Sequence, residues 1–306
     1  MRTRSLFTLP LLASTLISSN CQVRVIHETY HGWKGCVRLT NGTVELVVVP
    51  SIARIMRYSY VGGKNVLWEN PDLVGKPSPP TSFIWVNWGG DKLWPSPQDR
   101  WGWPPDRVLD QQACTFKVLP DKSLLVIGAT SAKSGIHFTR RIIMKPKGTE
   151  VTIENKMIAS DSGAVEWGVW EVAQMDAPDQ LRLPLNKVGK FPNGYLVFKN
   201  SAPAAGSTSL TATDVLYHRD AKKGSKIGSD SPKGYLIGEK NGVRFTLSQL
   251  VTPGANYPDD GCALEMYSNP DPAKYMELEL MGPVEWVQPS ESLTMVTHWK
   301  LEKYKK

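Results

Sequence analysis

The sequence is short of the residues that usually mark a reactive centre. It holds 5 histidines and 4 cysteines in 306 residues. No CxxC and no Cys/His spacing suited to zinc occurs. There is no GxSxG elbow, no P-loop and no dinucleotide fingerprint. Two acidic groupings, Asp259-Asp260 and Asp91/Asp99/Asp106, have the ligand type for calcium but not EF-hand spacing. No metal and no cofactor is therefore expected.

Charge of neither sign dominates. The formal balance is +7, from 36 Lys/Arg and 29 Asp/Glu. The positive residues are dispersed, with small groups at Arg140–Arg141, Lys222–Lys223 and the tail of Lys303, Lys305 and Lys306. Without a basic helix or stripe, no nucleic-acid partner is expected. Beyond the N-terminus no apolar run is long enough to span a bilayer. A 3.6-residue apolar period is also missing, which argues against a helical bundle. Hydrophobic residues at 41% and charged residues at 21% exclude a disordered chain.

The N-terminus has the form of an export signal. Arg2 and Arg4 precede an apolar stretch, Leu6 to Ile17, followed by small and polar residues up to Cys21. Cleavage before Gln22 and a lipid anchor on Cys21 are both open readings. Residues 1–21 are thus expected to be a signal peptide, residues 22–306 a single domain, and the protein periplasmic or extracellular. In that compartment Cys36, Cys114 and Cys262 remain, and buried inert thiols are their expected state.

Period-two runs dominate the remainder. Thr43–Val49 reads TVELVVV, and Thr149–Ala159, Tyr275–Met281 and Leu293–Leu301 alternate side chains between two faces, as half-buried strands do. Asn41-Gly42, Asn193-Gly194 and Asn241-Gly242 supply tight turns. The fold class read from this pattern is all-β, a large antiparallel two-sheet sandwich. Two segments, 70–111 and 200–233, break the rhythm and read as long loops of functional interest.

Five of the 11 tryptophans fall in the first of these: Trp85, Trp88, Trp94, Trp101 and Trp103. They alternate with Asp91, Gln98, Arg100 and other hydrogen-bonding residues. Flat aromatic faces beside amides, carboxylates and guanidinium groups suit a pyranose, which has an apolar C–H face and a polar rim. Trp88, Asp91, Trp94, Gln98, Arg100 and Trp101 are accordingly candidate carbohydrate-binding residues. Gly89-Gly90 would allow close backbone approach. The competing reading is that these tryptophans pin a long loop to the sandwich. Among the histidines, His218 in the second loop is the candidate site residue.

Three stretches resemble the galactose-mutarotase-like superfamily, which includes aldose 1-epimerases. They are residues 42–70 ending in LWEN, the GGDKLWPSPQ stretch (Gly89 to Gln98), and the C-terminal part from Cys262 to Leu301 with PVEWVQPSES. The GGD-x-LWP-x-PQ form is similar to an uncharacterised bacterial family of that superfamily. The resemblance implies a β-supersandwich, a sugar-sized cleft, and a Glu that takes the anomeric hydroxyl proton while a His protonates the ring oxygen. It implies Glu265 as base, with Glu277 and Glu279 as neighbouring alternatives. The strand expected to carry the histidine reads VEWGVWEVAQM and has none. Trp170 and Glu171 stand there instead, Glu171 as a candidate acid, and Lys226 is implied to line the cleft. Three functions remain open: a sugar-modifying enzyme, a carbohydrate-binding protein without catalysis, and an accessory β-sandwich.

Overall fold

The computed structural model describes residues 22–79 and 84–305. The signal-peptide reading and the Cys21 anchor lie outside the described residues. Two antiparallel sheets make up nearly all the regular structure. The first runs, in spatial order, Arg24–Tyr30, Trp33–Thr40, Val44–Val49, Arg54–Tyr60, Asp91–Ser96, Val165–Asp176, Tyr275–Met281, Leu264–Ser268, Ser225–Ser229 and Leu196–Val197. Glu285–Val287 also pairs with Val165–Asp176. The second sheet runs Thr208–Leu210, Asp214–Tyr217, Gln180–Pro184, Tyr235–Lys240, Val243–Gln249, Ser292–Lys303, Val151–Ala159, Ile136–Met144, Leu124–Ile127 and Thr115–Val118. The all-β two-sheet reading of the sequence holds.

Both long loops contain strands. Asp91–Ser96 lies in the middle of the first sheet, paired with Val165–Asp176 along its length. Its Pro95 removes a ladder donor, which is why the segment does not read as a central strand. Residues 200–233 contribute Thr208–Leu210, Asp214–Tyr217 and Ser225–Ser229.

Alternation sets the core. Met276, Leu278 and Leu280 of one strand and Val151, Ile153 and Met157 of the facing sheet are fully buried in one apolar cluster. Each such side chain contributes about 1.5–3 kcal/mol by leaving water. A charged lock crosses this core. Arg140 pairs with Asp91, donates to Glu171 Oε1 at 3.0 Å, and donates Nε–H to Asn155 Oδ1 at 2.8 Å. Trp299 Nε1 donates to Glu171 Oε1 at 3.1 Å. A buried charge is tolerated only when paired and hydrogen-bonded, and this set meets that condition except at Asp91 Oδ2, which is buried without a hydrogen-bond partner.

A smaller apolar cluster of Tyr30, Trp33, Cys36, Val47, Val49, Ile52, Met56 and Trp88 anchors the start of the 70–111 segment. Trp33 and Trp88 both donate their indole N–H to the Lys76 carbonyl, at 2.8 and 3.2 Å. Cys36, Cys114 and Cys262 are free and buried. Burial raises all three thiols, Cys114 to about 11, so they stay protonated. No helix among the described residues is long and apolar enough to cross a membrane.

Candidate functional site

Five adjacent strands of the first sheet build one wall: Asp91–Ser96, Val165–Asp176, Tyr275–Met281, Leu264–Ser268 and Ser225–Ser229. Strand alternation sends every second residue to the face away from the core. Trp94 pairs with Trp170, and Gln174 with Glu277. Glu277 pairs with Tyr267 and Glu279 with Glu265. Lys226 in turn pairs with Tyr267. The register therefore delivers aromatic rings, carboxylates and an ammonium to one surface.

That surface is the floor of a cavity of about 330 Å³, the size of a small-ligand cleft. Trp85, Trp94, Trp103 and Trp170 form its aromatic side, and Lys226, Tyr267, Tyr275, Glu277 and Glu279 its polar side. Gln98, Ser201 and Asn269 complete the rim. The indoles meet edge to face, Trp94–Trp170 at 5.1 Å and Trp85–Trp103 at 5.0 Å between ring centroids. Such pairs gain about 0.5–1.5 kcal/mol beyond their buried area.

Two of the cavity tryptophans, Trp85 and Trp94, are positioned by one carboxylate. Asp110 accepts the indole N–H of Trp94 at 2.7 Å on Oδ1 and that of Trp85 at 3.0 Å on Oδ2. Arg54 Nη2 donates to the same Oδ1 at 2.7 Å. Asp110 lies on the short helix Arg107–Gln111, whose N-cap Asp106 accepts from the Val108 amide at 3.0 Å. Ser131 and Ser134 donate their hydroxyls to Asp106 Oδ2 and so tie this cap to the second sheet's loops.

The polar side carries coupled charges. Lys226 Nζ lies 2.5 Å from Glu265 Oε2 and 3.1 Å from Glu279 Oε2. Trp170 Nε1 donates to Glu279 Oε2 at 3.1 Å. Burial, opposed by Lys226, lifts Glu279 to about 7 and lifts Glu265 well above the carboxylate range. Lys226 is pushed down by burial and, more strongly overall, up by the two carboxylates, so it stays charged. Gln174 Nε2 donates to Glu277 Oε1 at 2.8 Å. Lys92, buried, makes no hydrogen bond, with its Nζ 3.7 Å from Glu277 Oε1 and 4.8 Å from the Trp94 ring centroid. Burial pushes the Lys92 ammonium down.

The residues singled out from sequence are divided by this geometry. Trp94, Gln98, Trp170 and Lys226 line the cavity. Trp101 packs behind it, 6.0 Å from Trp94, and donates to the Pro95 carbonyl at 2.8 Å. Glu265 is fully buried behind Lys226, and Glu277 and Glu279 take the wall. Asp91 and Glu171 point the other way, into the inter-sheet lock with Arg140. Trp88 is fully buried in the smaller cluster. Arg100 pairs with Glu166 at 2.9 Å, away from the cavity lining. His218 lines a different cavity, beside Asp179 and Arg182, with Nδ1 3.0 Å from the Asp179 carbonyl oxygen.

Gly89 and Gly90 do permit a close approach, but to the protein itself. A Cβ on Gly89 would stand 2.1 Å from the Trp68 carbonyl oxygen, and one on Gly90 2.5 Å from that of Ile55. Among the described residues no cluster of three or more His, Cys, Asp or Glu could hold a metal ion. Lys92, Tyr267 and Tyr275 escaped the sequence reading as site residues. The parity of Trp94, Glu265 and Glu277 within their strands was the signal available for them.

The two-sheet antiparallel sandwich is a fold shared with solved galactose mutarotase-like proteins. A galactose mutarotase-like protein from Clostridium acetobutylicum superposes with a TM-score of 0.58 at 10% identity, covering 92% of this chain and 99% of that one. Another from Lactobacillus casei gives 0.55 at 10% identity, covering 88% and 100%. A TPR-domain containing protein from Parabacteroides distasonis gives 0.58 at 15% identity over 89% of this chain, which spans only 47% of that protein. No protein-family model and no curated protein sequence matches the chain.

Proposed function

We propose that the protein is an exported carbohydrate-binding protein whose cleft takes a pyranose and moves a proton at its anomeric centre. The single observation that carries this is the shared wall, where Trp94 and Trp170 stand beside Glu279 on adjacent strands. The indoles cover the apolar face of the ring, and the carboxylates and tyrosines pair with its hydroxyls.

Glu279 is the group suited to the proton transfer. Its affinity for a proton, raised by burial to about 7, matches the working pH of a general base. Trp170 and Lys226 hold its Oε2, which fixes the carboxylate's orientation. Glu279 would take the anomeric hydroxyl proton as the C1–ring-oxygen bond breaks. The Tyr267 hydroxyl, kept protonated chiefly by burial, is the neutral donor available to the ring oxygen. Rotation about C1–C2 turns the other face of the aldehyde to the C5 hydroxyl, which adds to C1 and returns its proton to Tyr267, while Glu279 returns its proton to the carbonyl oxygen, giving the other anomer.

Binding without catalysis is the second reading. What favours it is that none of the histidines is among the residues lining the cavity. Polarimetry on freshly dissolved α-glucose and α-galactose separates the two. Acceleration above buffer supports the enzyme. Sugar-dependent tryptophan fluorescence without acceleration supports binding alone, and neither response removes both. Export is tested by the mature N-terminus, expected at Gln22 or at a lipid-modified Cys21.

A further inference from the structure

We infer that the cleft selects a sugar bearing a free ammonium group, an amino sugar, over neutral and acidic sugars. The inference rests on the carbohydrate reading above and adds the class of ligand.

The cavity leaves carboxylate oxygens unpaired. Glu277 and Glu279 each use one oxygen within the protein. Oε1 of Glu277 receives Gln174 Nε2 at 2.8 Å, and Oε2 of Glu279 receives Trp170 Nε1 at 3.1 Å. The other oxygen of each has no donor among the described residues. The one ammonium that lines the cavity, Lys226, is already held by Glu265 and Glu279. Tyr267, Tyr275, Gln98 and Ser201 offer neutral hydroxyls and an amide, but the ionisable groups left for a ligand are acceptors, so a charged group on the ligand must bring donors. An ammonium brings three, with the matching charge.

Charge balance points the same way. Glu265, Glu277 and Glu279 face two ammonium groups, Lys92 and Lys226, so one negative charge is in excess. Asp259 adds to the negative field felt by Glu265, Glu279 and Lys226. In the empty cleft the excess is relieved by proton uptake, first at Glu265, which burial lifts well above the carboxylate range, and then at Glu279, lifted to about 7. A ligand ammonium supplies the same charge. A ligand carboxylate would meet two carboxylates on the wall.

The aromatic side completes a cation cage. Six rings line the cavity: Trp85, Trp94, Trp103, Trp170, Tyr267 and Tyr275. Such rings attract ammonium groups through their electron-rich faces. The protein already uses them so, with Lys92 Nζ 4.8 Å from the Trp94 ring and Lys226 Nζ 5.0 Å from that of Trp170.

The test is tryptophan fluorescence titration of the full chain at pH 7. The probes are D-glucosamine, D-glucose, N-acetyl-D-glucosamine, D-glucuronate and cyclohexylamine. Glucosamine is expected to bind at least about tenfold more tightly than glucose or N-acetylglucosamine, a gap of about 1.4 kcal/mol. Glucuronate is expected to bind most weakly of the sugars. The glucosamine advantage is expected to shrink in 1 M salt, roughly, as screening dictates, and to fall below about threefold in Glu277→Gln. The wild-type comparison decides the matter even if that variant fails to fold. Equal affinity for glucose and glucosamine overturns the inference and leaves the carbohydrate reading standing. Tighter glucuronate binding does the same. Cyclohexylamine binding as well as glucosamine, or no response to any sugar, overturns both.

Discussion

Glu265 and Glu279 are direct cross-strand partners, and one ammonium, Lys226 Nζ, lies within 3.1 Å of both. Like charges directly opposite on neighbouring strands repel. A single ammonium cannot neutralise two buried carboxylates, so the pair retains a proton into the neutral range. The reactivity proposed for the cleft grows out of this shortage.

Anomerisation is expected to rise as pH increases through about 7, the point at which Glu279 gives up its proton. Glu279→Gln is expected to lower the rate by about 100-fold or more, with sugar affinity changed only a few-fold. Polarimetry across pH 5.5–8.5, on the order of six points, reads the profile. A flat profile would remove Glu279 from the reaction.

Lys226→Met is expected to cost about 3–5 kcal/mol at pH 8, because two buried carboxylates lose their partner. The sign with pH follows from Glu279 being raised from 4.5 to about 7. A raised carboxyl contributes stability that is full below its unfolded value and is lost as pH rises through its folded value. Protonated carboxyls do not need the ammonium. Urea melts should therefore find the Lys226→Met penalty smaller at about pH 5 than at about pH 8. The reverse order would contradict the shared-proton picture.

Trp103 and Trp94 are expected to separate binding from folding. Trp103 is 57% exposed and Trp94 only 4%. Trp103→Ala should weaken sugar binding about tenfold with little change in melting temperature. Trp94→Ala should cost about 3–5 kcal/mol of stability. Fluorescence titration and thermal melts on both variants check this, and a strongly destabilised Trp103→Ala would count against it.

Asp110→Asn is expected to disturb the cleft from a distance. It removes the charge that pairs with buried Arg54 and weakens the acceptor shared by Trp85 and Trp94. Loss of about 3–5 kcal/mol is expected, with sugar affinity falling in the fraction that still folds. Binding unchanged after a large stability loss would place Asp110 in folding alone.

The sandwich was legible because alternation and turn residues act locally. Tyr275–Met281 shows its parity in the sequence, Met276, Leu278 and Leu280 against Glu277 and Glu279. The cleft was only partly legible. The tryptophan cluster was visible, and Trp94 lines the cavity, but Trp88 sits in a separate core beside Trp33. Composition cannot distinguish an indole facing a ligand from one facing Lys76. Asp91–Ser96 was hidden by Pro95 and Pro97. Asp91 and Glu171 looked like site carboxylates because their partner, Arg140, lies 49 and 31 residues away, beyond the reach of any local pattern.

Asp91 and Lys92 are chain neighbours that serve opposite faces of one sheet, and so are Trp170 and Glu171. A single residue inserted into either strand would carry the inter-sheet lock out to the ligand and drive the cleft's residues into the core. Length change in these strands is thus far more damaging than substitution. Substitution of the side chains that face the cavity, and changes in the loops around it, are consequently expected to be tolerated better than any change in the spacing between neighbours on these strands.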